Sequence, residues 1–301
     1  MSSSAPFVSV IIPAFNNLEG LRRCLAPLEQ QTHARERYEV IVVDNGSSDD
    51  VRSVVDGFPR VRLLREEQPG SYAARNRGIA AARGDVLALT DSDCVPTREW
   101  IEKGVENLLR APDCGFVAGR VELTFRDPAR PTPSELYDFI VMNFHQDRNV
   151  AERRFGATAN LFVFKQVFEA VGPFDGQLLS AGDLEWGRRV FDHGLLQIYA
   201  DDVRVAHPAR HALAETYRQA RRLAGGTYRL KIQNGATPAR RMLDLARAVT
   251  PALGFYGRLL RDQRLKHLRQ RVSVVLVAIR VKYVVAWELI RLMTGANPRR
   301  G

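Results

Sequence analysis

The sequence predicts an α/β protein with a Rossmann-like, mostly parallel central sheet, helices on both faces, and a C-terminal extension that is helical and basic. Short, almost wholly apolar, β-branched segments alternate with helical patterns through the first half of the chain. Strands that are apolar at nearly every position are typical of parallel sheets covered on both faces. The composition, 45% hydrophobic and 26% charged over 301 residues, is that of a folded globular chain.

The first half should supply four strands separated by three helices. The predicted strands are FVSVII, YEVIVV, VRLL and DVLALT, at residues 7–12, 38–43, 61–64 and 85–90. The helical patterns between them lie at residues 18–31, 49–57 and 71–83. Because crossovers are right-handed, the carboxyl ends of these strands should share one edge, where α/β proteins bind ligands. We therefore expect Asp44, Asp91 and Asp93 to converge at that edge.

The second half mixes strand and helix signals before it becomes wholly helical. After a helix from Trp100 to about Leu109, a long strand is predicted at residues 114–125. Further helices are expected at residues 134–146, from GDLEWGRR onward, and at 212–230, 239–268 with a break at Pro251, and 272–293. The predicted domains are residues 1–210, which would be catalytic, and residues 211–301, which are Arg-rich.

Charge is distributed unevenly along the chain. The net charge is +10, yet residues 201–301 contain 21 Lys and Arg against six Asp and Glu, and the first 200 residues contain 23 against 28. This asymmetry indicates a mildly acidic domain followed by a basic region that meets an anionic surface. Three cysteines without framework spacing favour a reduced, cytoplasmic compartment, and no secretory leader or long apolar run is visible.

Two carboxylates, Asp91 and Asp93, follow the apolar strand that ends at Thr90. Unpaired carboxylates are costly near a core, so something must compensate their charge. One alternative is a loop in which Asp and Ser side chains accept hydrogen bonds from free backbone amides. The other is a hard cation, since Mg²⁺ and Mn²⁺ prefer oxygen ligands. The D-x-D pattern alone leaves both alternatives open.

Four blocks occur in a fixed order: VSVIIPAFNN, VIVVDNGSSDD, GSYAARNRG through LALTDSDCVP, and GDLEWGRR. Together they resemble the family 2 glycosyltransferases, which have the nucleotide-diphospho-sugar transferase (GT-A) fold. The resemblance covers about Val8 to His207. It implies an inverting transferase that moves a sugar from a nucleotide-diphosphate donor, with UDP-sugars expected first, to an acceptor hydroxyl with the help of Mg²⁺ or Mn²⁺.

The resemblance also implies roles for particular residues. The expected nucleotide-binding residues are Pro13, Ala14, Asn16, Asp44, Arg75 and Asp91. The expected metal ligands are Asp93, Asp91 and His207. The general base of the family is the Asp of an ED-type motif, which corresponds to Asp183 here, although Gly182 stands where the preceding Glu is usual. A carboxylate within reach of the acceptor hydroxyl is sufficient for that task.

The C-terminal region limits the alternatives. Processive relatives carry Q-x-x-R-W, whereas QARRL at residues 219–223 ends in Leu, so single-sugar transfer is expected. Residues 272–293 are apolar but contain Arg280 and Lys282, which disfavours a spanning helix. Two expectations stay open for them: packing on the domain, or peripheral contact with the inner face of the cell membrane, where the acceptor would be lipid-linked or a glycan.

The sequence disfavours three rival functions. A sugar-phosphate nucleotidyltransferase would need a Gly-rich, basic loop, and IIPAFNN has neither feature. A non-catalytic nucleotide-sugar-binding scaffold is disfavoured because Asp91, Asp93 and Asp183 are all present. Nucleic-acid binding is disfavoured because the basic segment RLLRDQRLKHLRQR lacks interleaved aromatic residues.

Overall fold

A computed structural model describes residues 6–111 and 113–299, and it confirms the α/β fold class. Four strands form a parallel half-sheet in the order β3-β2-β1-β4. Their bounds are β1 Val8–Ala14, β2 Tyr38–Asp44, β3 Val61–Arg65 and β4 Val86–Thr90. Each lies within two residues of its predicted position. The carboxyl ends of these strands therefore share one edge of the sheet, as expected.

Four more strands extend the sheet beyond β4, giving the full order β3-β2-β1-β4-β7-β6-β8-β5. Their bounds are β5 Val95–Pro96, β6 Cys114–Thr124, β7 Asn160–Phe164 and β8 Leu196–Pro208. β7 is antiparallel to both β4 and β6, and β5 is antiparallel to β8. The long strand β6 was predicted from the sequence, whereas β7 was not, because the small residues that precede it give no strand signal.

Helices cover both faces of the parallel half. Alternate β1 residues Val8, Val10 and Ile12 pack with the apolar residues of two helices, α1 (Leu18–Leu28) and α4 (Trp100–Leu109). On the other face, helix α3 (Ser71–Ala81) lies so close that a Cβ at Gly78 would be 2.6 Å from Ile11 Cγ2. The short helix α2 (Val51–Val55) begins two residues later than predicted, because Asp50 caps it by accepting a hydrogen bond from the Ser53 N–H.

The remaining helices fall into two groups. One group contains the single turn α6 (Gln146–Arg148), a π-helical turn at Asn149–Arg153, α7 (Lys165–Val171) and α8 (Gly182–Asp192). The other contains α5 (Pro133–Tyr137), its π-helical continuation Asp138–Met142, α9 (Leu213–Gln233), α10 (Pro238–Val249), α11 (Leu253–Leu260) and α12 (Leu268–Met293). The predicted break at Pro251 is confirmed. Residues 143–145 and 261–267 were predicted to be helical but are not.

The described chain forms two compact units. The first contains residues up to Glu122, Phe144–Gln177 and Gly182–His207. The second contains Leu123–Asn143, Leu178–Ala181 and the residues from Pro208 onward, and its core joins α5, α9, α11 and α12. The boundary expected between residues 210 and 211 remains a prediction. Among the described residues, none of the helices combines the length and apolarity needed to cross a membrane.

Candidate active site

The expected site residues begin at the carboxyl edge of the parallel strands. Asp44 ends β2, Asp91 follows the last residue of β4, and β1 lies between these two strands. Because neighbouring strands are about 4.8 Å apart, the two positions are separated by roughly 10 Å across the edge. Ala14, at the end of β1, is paired in register with Asp44. This edge therefore presents two carboxylates with the end of β1 between them.

Asp91 has a cationic partner within the protein. Its Oδ1 accepts a hydrogen bond from Arg75 Nη2, and the Arg75 side chain is only 3% exposed. Arg75 is placed there by α3, whose close approach to β1 at Gly78 was described above. Part of the charge compensation that was expected from a bound cation is therefore supplied at Asp91 by Arg75. Arg77, two residues later, is exposed.

Asp93 lies next to His207, with 3.5 Å between Asp93 Oδ1 and His207 Nε2. The register of two antiparallel strands explains this contact, because Val95 of β5 is paired with Ala206 of β8. Asp93, just before the β5 member of this pair, and His207, just after its β8 member, lie on the same side of the pair and are thereby brought together from distant parts of the sequence. The Phe144 ring stands 5.0 Å from the His207 ring between their centroids and helps to cover it.

Four side chains could offer ligand atoms to one ion. Atoms of Asp91, Asp93, Cys94 and His207 all lie within 4.8 Å of one another. Burial raises the pKa of Cys94 well above its usual range, and the carboxylates of Asp91 and Asp93 add to that effect. A thiol is moreover a soft ligand, whereas hard cations such as Mg²⁺ prefer oxygen. Two carboxylates and an imidazole remain, a set that suits Mn²⁺ and, through its oxygens, Mg²⁺.

The loop after β1 is linked to the loop after β2. Asn16 has φ +46 and accepts a hydrogen bond from the backbone N–H of Ser48 through Oδ1 at 2.8 Å. Its own backbone N–H donates to Ser47 Oγ at 3.1 Å. The Ser47 N–H in turn donates to Asp44 Oδ1 at 2.9 Å. Asn16 thus has a bracing function here, and its side-chain oxygen is already engaged by Ser48.

Two residues of β1, Pro13 and Ala14, were also expected to bind the nucleotide. Ala14 is buried, and its carbonyl accepts a hydrogen bond from the Asn45 N–H at 2.9 Å. Pro13 is half-buried and is paired with Val43. Because its side chain is covered, Ala14 would contact a ligand through main-chain atoms. Their predicted roles are compatible with a pocket wall, which needs shape more than hydrogen-bonding groups.

Sequence reasoning missed Asn45, the residue that fixes this edge. Its side chain is 2% exposed, and its amide donates to the carbonyls of Glu66 and Gln68 while its Oδ1 accepts from the Gly70 N–H. These bonds hold the segment before α3 against the end of β2. The position of Arg75 on α3 therefore depends partly on Asn45. An Asn directly after a strand-ending Asp was the available signal.

Asp183, the expected general base, lies in the first turn of α8 and bonds to two donors. The Tyr72 hydroxyl donates to its Oδ1 at 3.2 Å, and the Leu184 N–H donates to the same atom at 2.9 Å. Burial raises the pKa of Asp183 above its usual range and Asp91 adds to the rise, although the Leu184 N–H, the charge of Arg75 and the Tyr72 hydroxyl oppose it. A carboxylate with a raised pKa accepts a proton more readily.

Gly182 is explained by the ring of Tyr72. A Cβ at position 182 would lie 2.7 Å from Tyr72 Cε2, so no other residue fits without displacing the ring. The Glu that is usual at this position in ED-type motifs is therefore excluded on steric grounds. The preceding residue, Ala181, has φ +65, a left-handed conformation that costs a non-glycine residue roughly 1 kcal/mol.

Tyr72 is the second residue that sequence reasoning missed. It is 5% exposed, contacts Asp183 through its hydroxyl, and has the Arg75 guanidinium 5.6 Å from its ring centroid. It therefore connects the Asp91 part of the site with Asp183.

Gln68 and Asn76 hold the segment before α8 in place by donating to the carbonyls of Gly176 and Phe174. These contacts span about a hundred residues, so no local pattern predicts them.

Comparison with known proteins supports the family that the sequence blocks resemble. A family model described as glycosyl transferase family 2 matches residues 9–172, more than half of the chain. The chain belongs to glycosyl transferase family 2. It is 41% identical to glycosyltransferase AglE of Haloferax volcanii over 215 residues, which cover 70% of this chain and 69% of that protein.

One further relative and one solved structure are also similar to this chain. Validoxylamine A glucosyltransferase of Streptomyces hygroscopicus is 27% identical over 64% of this chain and 53% of its own length. A solved structure of the mannosyltransferase PcManGT from Pyrobaculum calidifontis, in complex with GDP-Man and Mn²⁺, aligns with a TM-score of 0.64 at 20% identity. That alignment covers 96% of this chain and 88% of the mannosyltransferase, and it shows that the two proteins share a fold. This family 2 chain is therefore a glycosyltransferase with a GT-A-type fold.

Proposed function

We propose that this glycosyltransferase is inverting, metal-assisted and non-processive, and that it moves one sugar from a nucleotide-diphosphate donor to an acceptor hydroxyl. The observation that carries the proposal is the cluster of Asp91, Asp93 and His207, whose ligand atoms lie within 4.8 Å at the carboxyl edge of the sheet. The charges of Arg75 and Asp91 also act on Asp183. The group proposed for the acceptor proton is linked to those proposed for the diphosphate through Tyr72, which contacts both Asp183 and Arg75.

The nucleotide is proposed to lie along the edge between Asp44 and Asp91. Asp44 would accept a hydrogen bond from the base or a ribose hydroxyl, next to the wall formed by Pro13 and Ala14. Asn16 would shape this end by holding Ser47 and Ser48. At the other end, Arg75 would orient Asp91 toward the ribose and contribute positive charge near the diphosphate, for which a guanidinium is well suited.

The metal would be held by Asp93, Asp91 and His207, with Mn²⁺ or Mg²⁺ as the ion. When bound, such an ion neutralises the negative charge that develops on the leaving nucleotide diphosphate. Asp93 is proposed as the principal carboxylate ligand, since Asp91 already bonds to Arg75. The neighbouring mannosyltransferase structure contains Mn²⁺, which supports this choice of ion.

Asp183 is proposed to take the proton of the acceptor hydroxyl. As that oxygen forms its bond to the anomeric carbon, the bond from this carbon to the nucleotide diphosphate breaks, and the proton passes to the Asp183 carboxylate. Attack opposite the leaving group inverts the anomeric configuration. The hydrogen bond from Tyr72 fixes the direction of the carboxylate and leaves Oδ2 for the acceptor.

The donor and acceptor are proposed by class. A UDP-sugar was expected first, and the GDP-Man bound by the neighbouring mannosyltransferase makes GDP the second nucleotide to test. The acceptor would be a hydroxyl of a lipid-linked molecule or of a glycan, met in the cytoplasm at the inner face of the membrane.

Two readouts test the chemistry. Proton NMR of the first product should show the anomeric configuration opposite to that of the donor. Asp183→Asn should bind donor as the wild type does but lose turnover by roughly 10²–10⁴-fold. If the purified protein binds nucleotide but never transfers sugar to any acceptor or to water, the alternative of a non-catalytic scaffold is correct for this chain. Near-normal turnover of Asp183→Asn would remove the base assignment.

A further inference from the structure

Helix α12 has an exposed apolar stripe that its own unit does not cover. Its exposed members are Leu268, Val272, Leu276, Tyr283, Trp287 and Ile290, between 38% and 71% exposed. At 100° per residue these positions fall within an arc of about 100° on the helix surface. From Leu268 to Ile290 the stripe is about 33 Å long at 1.5 Å per residue. A continuous apolar surface of this length marks an interaction site.

The same helix buries a second apolar face. Val274, Val277, Ala278 and Val281 pack in a core with residues of α5, α9 and α11. The core face already anchors α12 to its unit, so the exposed stripe is not needed for folding. Helix α10 packs beside α12 and exposes Met242, Leu243 and Val249. The same unit therefore exposes apolar side chains on more than one helix.

Basic side chains border the stripe. Arg269 and Arg280 are exposed and project at one margin of its arc, about 100° and 120° from Leu268. In the segment before α12, Arg258, Arg261 and Lys266 are also exposed. Two copies of such a surface would bring like charges together, which disfavours self-association through the stripe. An anionic partner would instead satisfy both the apolar stripe and its basic margin.

The aromatic members indicate which kind of anionic partner. Trp287 is 63% exposed and Tyr283 is 53% exposed, although Trp and Tyr in a folded protein are usually covered. Both residue types are enriched where hydrocarbon meets water, because their rings are apolar and their N–H or O–H groups are polar. A nucleic acid would not require the aliphatic part of the stripe.

We propose that this stripe docks α12 in the plane of an anionic phospholipid membrane. Its apolar side chains would enter the boundary between headgroups and acyl chains, and Arg269 and Arg280 would bind lipid phosphates. The helix would lie on the membrane without crossing it, since Arg280 and Lys282 occupy its middle. The inference goes beyond the proposed sugar transfer and does not depend on it.

The test uses the full chain with vesicles of phosphatidylcholine alone and of phosphatidylcholine mixed with phosphatidylglycerol. We expect flotation with the anionic vesicles only, and weaker flotation at high salt because salt screens the arginines. The chain has three tryptophans, of which Trp100 and Trp186 are buried. A blue shift of tryptophan emission on adding anionic vesicles would therefore report the insertion of Trp287.

Matched variants make the test specific. Trp287→Glu and Leu276→Glu should each reduce binding to anionic vesicles about tenfold or more, which corresponds to about 1.4 kcal/mol. Leu109→Glu is the control, because Leu109 is 53% exposed at the end of α4 in the other unit, and it should bind as the wild type does. Arg269→Gln with Arg280→Gln should reduce the salt dependence.

Several results would overturn the inference. One is equal flotation of the wild type and Trp287→Glu, and another is loss of flotation in Leu109→Glu. A third is an absence of binding to the anionic vesicles. A fourth is a concentration-dependent dimer, measured by sedimentation, that forms in place of vesicle binding and that Trp287→Glu abolishes. That last result would assign the stripe to a second copy of the chain. Circular dichroism and nucleotide binding of each variant would show that the fold and the nucleotide site are intact.

Discussion

Tyr72→Phe tests the connection between the nucleotide edge and the proposed base. The substitution removes the hydroxyl that donates to Asp183 Oδ1 at 3.2 Å and keeps the ring that packs on Gly182. Hydrogen bonds to a charged group contribute about 1.5–3 kcal/mol, and a distance of 3.2 Å favours the lower figure. About 1.5 kcal/mol corresponds to roughly tenfold in the balance between the ionised and protonated carboxyl.

The direction of the pKa change follows because the Tyr72 hydrogen bond stabilises the ionised form of Asp183. Tyr72 lowers the pKa of Asp183 against the larger effect of burial, so its removal raises that pKa further. The acidic limb of the pH profile of kcat/KM should therefore move to higher pH. On that limb the variant should be roughly tenfold slower than the wild type, and at alkaline pH the two rates should converge.

The assay is initial-rate sugar transfer, or donor hydrolysis, measured across the pH range. Tyr199→Phe is the matched control, because the Tyr199 hydroxyl also donates to a carboxylate, Asp201, at 2.8 Å on the distant strand β8. That variant should keep the wild-type profile. An acidic limb that stays in place in Tyr72→Phe would refute the reasoning, and so would a loss of rate that is the same at every pH.

Three further substitutions test neighbouring contacts. Asp183→Asn should raise the melting temperature at neutral pH. The pKa of Asp183 is raised in the folded protein, so its contribution to stability is lost as the pH rises through that pKa, and the substitution removes this loss. The gain should vanish at a pH below the usual carboxyl range, and scanning calorimetry that finds a lower melting temperature at neutral pH would contradict the prediction. Gly182→Ala should lower both stability and turnover, since its Cβ would lie 2.7 Å from Tyr72 Cε2, and wild-type values in a thermal melt and a transfer assay would contradict this contact. Arg75→Gln should weaken nucleotide binding about tenfold or more by removing the partner of Asp91, as measured by calorimetric titration, and unchanged affinity would exclude Arg75 from the site.

The parallel half of the fold was predictable because its signal is local. Val8–Ala14 and Tyr38–Asp44 are buried on both faces, so each reads as a continuous apolar run whatever its neighbours are. The strand Asn160–Phe164 was missed because its place between β4 and β6 depends on long-range pairing. The predicted helix at residues 134–146 is α-helical only to Tyr137 and then continues as a π-helical turn that ends at Met142.

The site residues likewise divide into those with a local sequence signal and those whose contacts are long-range. Asp91 and Asp93 were found because they are two residues apart at a strand end, and Asp44 because it ends β2. His207 was singled out through the family resemblance, and its contact with Asp93 depends on the register of β5 and β8. Tyr72 was missed because its partner, Asp183, is 111 residues away, and neither residue alone carries a pattern that points to the other.

The central claim is that Asp93 helps to hold a metal on which nucleotide binding depends. Calorimetric titration of the purified protein with UDP and with GDP, each in Mn²⁺, in Mg²⁺ and in EDTA, measures this directly, with Asp93→Ala alongside. We predict that one nucleotide binds in the presence of metal, that EDTA abolishes its binding, and that Asp93→Ala loses it while keeping the wild-type melting temperature. Equal nucleotide affinity in EDTA, or in Asp93→Ala, would contradict the account.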